Sequence, residues 1–432
     1  MFSFLRNLRN DLSKRRIVEN FFSLSVLQGA NYLLALIILP YLTRVLGAEK
    51  FGLVMFAQAF VYHFVVITDF GFNLSATRAI SLARNDPRKL SEIYSAVMII
   101  KLLLTLLCLA IMMIIVLNFQ RFSKEWPVYF LSFGVVIGQV LFPLWFFQGM
   151  ERMKYITVLN LLAKLIFTFS IFIFVSGPSD YLYVPFLNSL GVISGGIIAI
   201  VIVLRRFGIT PRIPAFEILK NQFKNGWYIF TSQIAISLYT TANTFILGIF
   251  TNDTIVGYYA AVEKIIQAVK FLPNPLYQAI YPHCAVLAET SREKCMRFLR
   301  RVFQFTVGYG LIVWAGMFVL SEYIVVFFLG AEFFPAIPIF RIFSFLVMIT
   351  PMAYLVFNVV LLSFKLDKYF SLIYLSGALL NFIFLFLFLI LLGWEANGVA
   401  LSNVLAQTAI LTLGVLTLWK HQIHIGGKTV VK

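Results

Sequence analysis

The sequence predicts an all-α polytopic membrane protein, with about twelve transmembrane helices in two parallel-repeat six-helix halves. Three observations predict it. Apolar stretches of about 20 residues recur along the whole chain. Each is long enough to cross ~30 Å of hydrocarbon as a helix rising about 1.5 Å per residue. Hydrophobic residues make up 61% of the chain, charged residues 12%, and mean hydropathy is +0.91; soluble domains carry about 25% charged residues. Lys and Arg gather in every second gap between the stretches, the pattern that sets orientation in a bilayer.

The expected spans are 20–43, 52–76, 92–117, 127–148, 155–176, 182–204, 227–250, 257–284, 302–320, 341–364, 369–392 and 398–419. With the N-terminus cytoplasmic, about 26 basic residues fall on that side. Only Arg44, Lys50, Arg121, Lys124 and Arg341 fall on the other. This asymmetry places both termini in the cytoplasm. Residues 1–19 are expected to form a cytoplasmic amphipathic segment, with Phe4, Leu5, Leu8 and Leu12 on one face. No small-residue cleavage site follows the first span, which is therefore read as retained rather than as a signal peptide.

Residues 20–204 form the expected N-terminal six-helix bundle and 227–419 the C-terminal one. The basic connector 205–226, carrying Pro211 and Pro214, links them, and 420–432 is a cytoplasmic tail. The net charge of +17 sits beside apolar spans, so it points to topology and anionic headgroups, not to nucleic acid. Cys108, Cys284 and Cys295 make no spaced pair and imply neither a disulfide framework nor a zinc site.

Leu46-Gly47, a short polar turn and Phe51-Gly52 follow the first span. Leu247-Gly248, a polar turn and Val256-Gly257 follow the seventh. The two places lie six helices apart and so share orientation, as in a parallel repeat about an axis normal to the membrane.

Here the chain resembles the bacterial polysaccharide and O-antigen flippases of the multidrug/oligosaccharidyl-lipid/polysaccharide exporter superfamily. The resemblance rests on Arg44…Leu46-Gly47…Phe51-Gly52, then Asp69-Phe70-Gly71-Phe72-Asn73 with Arg78, and the Asn85-Asp86-Pro87-Arg88-Lys89 loop. It continues through Phe147-Gln148-Gly149-Met150-Glu151 and Val256-Gly257-Tyr258-Tyr259-Ala260. It implies two six-helix bundles around a central cavity in the bacterial inner membrane. It also implies alternating access and an undecaprenyl-diphosphate-linked oligosaccharide moved from cytoplasm to periplasm. Coupling to protons or sodium, and polymerase or chain-length partners, are further expectations of the resemblance.

Charges left at depth are the candidate substrate residues: Lys101, Lys164, Lys264 and Lys270, with Glu263 and Asp69. A Lys at a helix centre costs about 2.5–3.5 kcal/mol, so four facing lipid would cost on the order of 10 kcal/mol without a wet cavity or partners. Lys264 lies near a span end and can snorkel; the other three lie near mid-span. Glu263, Gln267, Lys270 and Asn274 recur at helical spacing along one face, and Pro273 and Pro275 interrupt the same span. That stripe fits a substrate wall and hinge, or else a kinked packing helix with a buried Glu–Lys pair. Gln233, Ser237, Thr240 and Thr244, with Gln28 and Asn31, add weaker polar stripes. Asp69 and Arg78 are expected to pair as a gate at the cytoplasmic mouth, or as a static anchor.

Catalytic motifs are missing. Gly426-Gly427-Lys428-Thr429 imitates the end of a phosphate-binding loop, but the position of its required earlier glycine is Gln422. No metal-sugar Asp-x-Asp, nucleophile elbow or His-Glu-x-x-His occurs, and His421 and His424 read as solvated tail residues. Outward loops are short, so a glycan polymerase or ligase is disfavoured: the expectation is a transporter without cofactor or metal, not an enzyme. A cation-coupled multidrug exporter of the same architecture is the nearest alternative. It would be expected to prefer acidic cavity residues.

Overall fold

Apolar stretches in this sequence can satisfy their backbone only as helices inside a bilayer, and among the described residues no strand is present. The computed structural model describes residues 12–421 and Ile423. The expected amphipathic face of residues 2–16 falls largely outside the described residues, as does His424.

Helix α1 (Leu12–Asp69) is interrupted at Gly47, whose φ of 72° lies in the left-handed region that glycine occupies without strain. Its two limbs correspond to the first two expected spans. After α2 (Phe72–Ala83), α3 (Pro87–Asn118) starts at Asp86, whose side chain accepts the N–H groups of Arg88 and Lys89. Then come α4 (Trp126–Leu141), α5 (Leu144–Gly149), α6 (Met153–Phe174) and α7 (Tyr183–Arg206).

The later chain holds α8 (Phe216–Thr240), α9 (Ala242–Phe250), α10 (Asp253–Lys270) and α11 (Asn274–Thr290). It continues with α12 (Arg292–Val319), α13 (Ser321–Leu329) and α14 (Ile337–Tyr354). Helix α15 (Asp367–Leu385) and α16 (Glu395–Lys420) complete it. Both α14 and α15 run on into π-helical turns, Leu355–Leu361 and Phe386–Leu391.

Among the described residues, nine segments are long and apolar enough to cross a membrane, and one, Gly29–Ala83, is long enough to do so twice. The expected spans 227–250 and 257–284 are not among them. Both are broken in mid-course, at Thr241 between α8 and α9 and at Phe271–Pro273 between α10 and α11. Pro273 and Pro275 explain the second break, because proline removes helical N–H donors. The polar stripe is therefore not one straight face: Asn274 opens a new helix beyond the break.

Contacts divide the chain into two compact units. The first holds the described residues up to Ile38 with Val54–Ser237, and the second holds Leu39–Leu53 with residues from Leu238 onward. In the first, α4 and α7 cross through small residues. A Cβ at Gly138 would stand 2.7 Å from Ile193 N, and one at Gly134 would stand 2.5 Å from Ser189 Cβ. At one end, Trp145, Phe146 and Phe147 are fully buried with Tyr94 and Phe207 beside them. Residues 207–215 form no helix, and this stretch of the expected linker is strapped onto α3: the N–H groups of Thr210 and Arg212 donate to the Ser91 and Ser95 hydroxyls.

In the second unit, the glycines of the sequence echo meet reciprocally. A Cβ at Gly52 would lie 1.8 Å from Asp253 O, and one at Gly257 would lie 2.1 Å from Ala48 O. Cys284 and Cys295 stand close across the Ser291 turn, with Cys295 Sγ 3.6 Å from Cys284 O.

One local design recurs in each unit. Asp86 caps α3 and Ser291 caps α12, 205 positions later. Glu151 (φ 56°) and Lys365 (φ 58°) are the left-handed residues of two turns that share one hydrogen-bond pattern. Arg152 N donates to Phe147 O as Leu366 N does to Leu361 O, and Tyr155 N donates to Arg152 O as Tyr369 N does to Leu366 O. Each turn is clasped by an ion pair of 2.8 Å, Arg84–Glu151 in one unit and Glu289–Lys365 in the other, with the charges exchanged. The exposed Lys365 ammonium holds the Glu289 carboxyl below its usual range, mainly through their hydrogen bond.

Candidate functional site

Helix α3 carries Lys101 on the face turned into the first unit, where only 3% of the residue is exposed. Its Nζ stands 3.6 Å from Asp69 Oδ1 at the end of α1. The chain can deliver Asp69 there because Phe70 (φ 49°) and Gly71 (φ 74°) reverse the backbone immediately after it. The Phe70 ring stacks on Phe223 and Phe230, which fixes that reversal. A gate pair between Asp69 and Arg78 does not form: Arg78 lies on an exposed face of α2, and Lys101 takes the carboxylate instead.

One small cavity adjoins this pair, and a larger one shares part of its lining. The smaller, about 50 Å³, is lined by Asp69, Asn73, Lys101 and Gln139. The larger, about 280 Å³, is lined by Asn31, Gln139, Asn160, Lys164, Thr168 and Asn188, with aromatic and aliphatic walls. Gln139 and Phe142 line both cavities. Asn31 Oδ1 is buried without a hydrogen-bond partner, so it presents an acceptor that nothing in the unit satisfies. Thr168 and Asn160 instead donate to their own helix, at Lys164 O and Ile156 O. The Gln28 side chain lies outside the described residues.

Gln139, Asn160 and Asn188 were not singled out from the sequence. The available signal was the one used for Asn31, an isolated amide inside an apolar span. Chemically, an ammonium group and several amides inside apolar walls suit a ligand with an anionic group and hydroxyls: ammonium donates to phosphate, and amides both donate and accept.

The second unit gathers the other candidates on α10. Glu263 accepts the Thr244 hydroxyl at 3.2 Å, across the helix that follows the Thr241 break. Gln267 also hydrogen-bonds Glu263, and Lys264 and Lys270 supply its electrostatic neighbours. Lys270 Nζ lies 5.0 Å from the centre of the Phe271 ring. Behind them, Asn381 Nδ2 donates to Asn243 Oδ1 in a fully buried amide pair. The candidates therefore fall into two groups, Asn31, Asp69, Lys101 and Lys164 in one unit and Glu263, Lys264, Gln267 and Lys270 in the other. Asn274 stands apart, past the helix break. Among the described residues, no cluster of three or more His, Cys, Asp or Glu could hold a metal ion.

Several known proteins are similar to this chain. The family model described as polysaccharide biosynthesis protein matches residues 17–288. A protein of Escherichia coli K12 named "Putative O-antigen transporter" is 34% identical over 292 residues, covering 68% of this chain and 70% of its own. A protein of the same name from Shigella dysenteriae is 33% identical over 321 residues, covering 73% and 78%. In fold, the chain is similar to an inward-facing multidrug resistance MATE family transporter of the MOP superfamily. That match has a TM-score of 0.70 and 14% identity, and it covers 92% of this chain and 94% of the other. It is also similar to the lipid II flippase MurJ in an inward closed conformation, with a TM-score of 0.64 and 14% identity, covering 91% and 87%. Taken with the motifs along α1 to α5, the family match and the two relatives establish that this chain belongs to the polysaccharide biosynthesis protein family.

Proposed function

We propose that this protein is a flippase. Its substrate in this reading is an undecaprenyl-diphosphate-linked oligosaccharide, an O-antigen or related surface polysaccharide unit, moved from the cytoplasmic to the periplasmic leaflet by alternating access. Family membership and the names of the relatives support a polysaccharide role, and the helical fold supports transport. The observation that carries the reading furthest is the larger cavity of the first unit, where Lys164 is the charged lining residue among several amides. An exporter of organic cations would be better served by carboxylates there.

In this reading the chain crosses the membrane twelve times. The crossings are the two limbs of α1, then α3, α4–α5, α6, α7, α8–α9, α10–α11, α12, α14, α15 and α16. The recurring caps, turns and clasps support two parallel six-helix halves, 20–204 and 227–419. The Lys and Arg asymmetry supports cytoplasmic termini in an inner membrane, with the Arg84–Glu151 and Glu289–Lys365 ends facing the cytoplasm.

Mechanistically, Lys164 and Lys101 lower the desolvation barrier for the diphosphate, the amides hold sugar hydroxyls, and the lipid tail stays in the bilayer. Two negative charges moved outward across an inside-negative potential of ~100 mV release about 4–5 kcal/mol, which can drive the step. The broken spans α8–α9 and α10–α11 supply the hinges. Expression in a flippase-null strain tests the reading: the parent protein restores surface polysaccharide, and Lys164→Ala at equal protein level restores far less. Full restoration by Lys164→Ala removes the cationic cavity from the mechanism.

A further inference from the structure

The two units share caps, turns and ion pairs, but they differ in one connector. Seven residues, Phe119–Glu125, join α3 to α4, whereas seventeen, Leu320–Ala336, join α12 to α14. The extra length includes Glu332, and Glu332 reaches back to the turn between the two limbs of α1. Its Oε1 accepts the N–H of Ala48 at 2.9 Å, the first amide after the Gly47 reversal. A Cβ at Gly47 would lie 3.0 Å from the other carboxylate oxygen, so glycine makes room for this carboxylate. Next to it, the Arg44 guanidinium donates to Phe327 O, and the Phe51 ring meets Phe333 edge-on.

We infer that Glu332 and its connector form a releasable clasp on residues 44–53, closing the end of the second unit farthest from the Glu289–Lys365 pair. The inference rests on the transport reading and adds to it a closing residue. Residues 39–53 pack in the second unit, although the chain on both sides of them packs in the first. A conformational cycle that moves the first unit must therefore either carry this segment along or strip it from its seat.

The seat is suited to stripping. Gly52 and Gly257 meet backbone to backbone, so separation requires no side chain to change rotamer. The rest of the hold includes the Phe51–Phe333 ring contact and two hydrogen bonds between side chains and backbone groups, which water can replace on release. The first unit lacks an equivalent connector, which makes the clasp one-sided. It is a specific addition to the repeat rather than part of the shared packing.

The experiment reads exposure directly. Leu46 is buried immediately before the Gly47 reversal, so Leu46→Cys reports release through its reaction with a membrane-impermeant maleimide applied from outside. The three native cysteines are buried, and the protein without the reporter is the control. Labelling is expected to be slow in the reporter protein and about tenfold faster with Glu332→Ala, a change in opening that corresponds to about 1.4 kcal/mol. With Glu332→Gln it stays slow, because the amide carbonyl still accepts the Ala48 N–H. Ala48→Pro, which removes that donor at a helix start where proline is tolerated, is expected to match Glu332→Ala.

Equal labelling in all four proteins overturns the clasp, as does a Glu332→Gln rate equal to that of Glu332→Ala. Surface polysaccharide is measured in parallel. If the parent protein fails to restore it while the labelling pattern holds, the flippase reading falls and the clasp stands. If polysaccharide is restored but labelling is indifferent to Glu332, the clasp falls alone.

Discussion

Lys101 and Asp69 hold each other at 3.6 Å inside the first unit, and each makes the other tolerable there. Removing one partner of a buried pair costs about 3–5 kcal/mol, because the remaining charge is left without compensation. Lys101→Met is thus expected to lower the melting temperature of the purified protein markedly, and Lys101→Met with Asp69→Asn to recover much of the loss. A double variant no more stable than the single one would contradict the pairing. The mid-span position of Lys101 was legible in the sequence; its partner was not. Two consecutive left-handed residues, Phe70 and Gly71, decide where the chain goes next, and phenylalanine gives no sequence signal of such a conformation. At the surface, Asp86 shows a simpler rule. Backbone N–H donation, chiefly from Lys89, holds its carboxyl below the usual range. Its stabilising effect is therefore present above the ordinary carboxylate value of about 3.9 and is lost as pH falls through the depressed one. Asp86→Asn should keep the cap but flatten that acid dependence in melting measurements below about pH 4.

Elements were legible in proportion to how strongly composition alone shapes them. The long apolar helices stand where hydropathy places them, and Pro273 with Pro275 announced the break between α10 and α11. The break at Thr241 carried no proline or glycine, and neither did the π-helical turns after α14 and α15. The echo at Gly52 and Gly257 was read as a repeat signal, and its physical cause is their close backbone approach. The exchanged ion pairs test how local the clasped turns are. Arg84→Glu is expected to reduce stability by about 0.5–1 kcal/mol, as for a partly exposed pair, and Arg84→Glu with Glu151→Arg to restore most of it. A swapped pair that stays as unstable as the single variant would show that the Arg84 bond to Gly149 O matters more than the ion pair. At the α4–α7 crossing, Gly138→Leu is expected to abolish stable expression, since even a Cβ there would lie 2.7 Å from backbone.

For the whole molecule, membrane class and family were within reach of the sequence, because both rest on composition and on motifs in order. The distribution of candidate residues was not. The listing of lysines along the chain could not tell that Lys164 and Asn31 share one cavity while Glu263 and Lys270 belong to another unit. That depends on which helices pack together, and apolar helix surfaces encode this only weakly. The account requires the first-unit cavity to engage an anionic, sugar-bearing lipid. Translocation of a labelled diphosphate-linked oligosaccharide lipid, in proteoliposomes with an imposed membrane potential, measures this most directly. The predicted result is potential-dependent transfer by the parent protein and a rate at least about tenfold lower for Lys164→Ala, the loss of one hydrogen bond to a charged group. Equal transfer by both proteins, or none by a correctly folded parent, would contradict it.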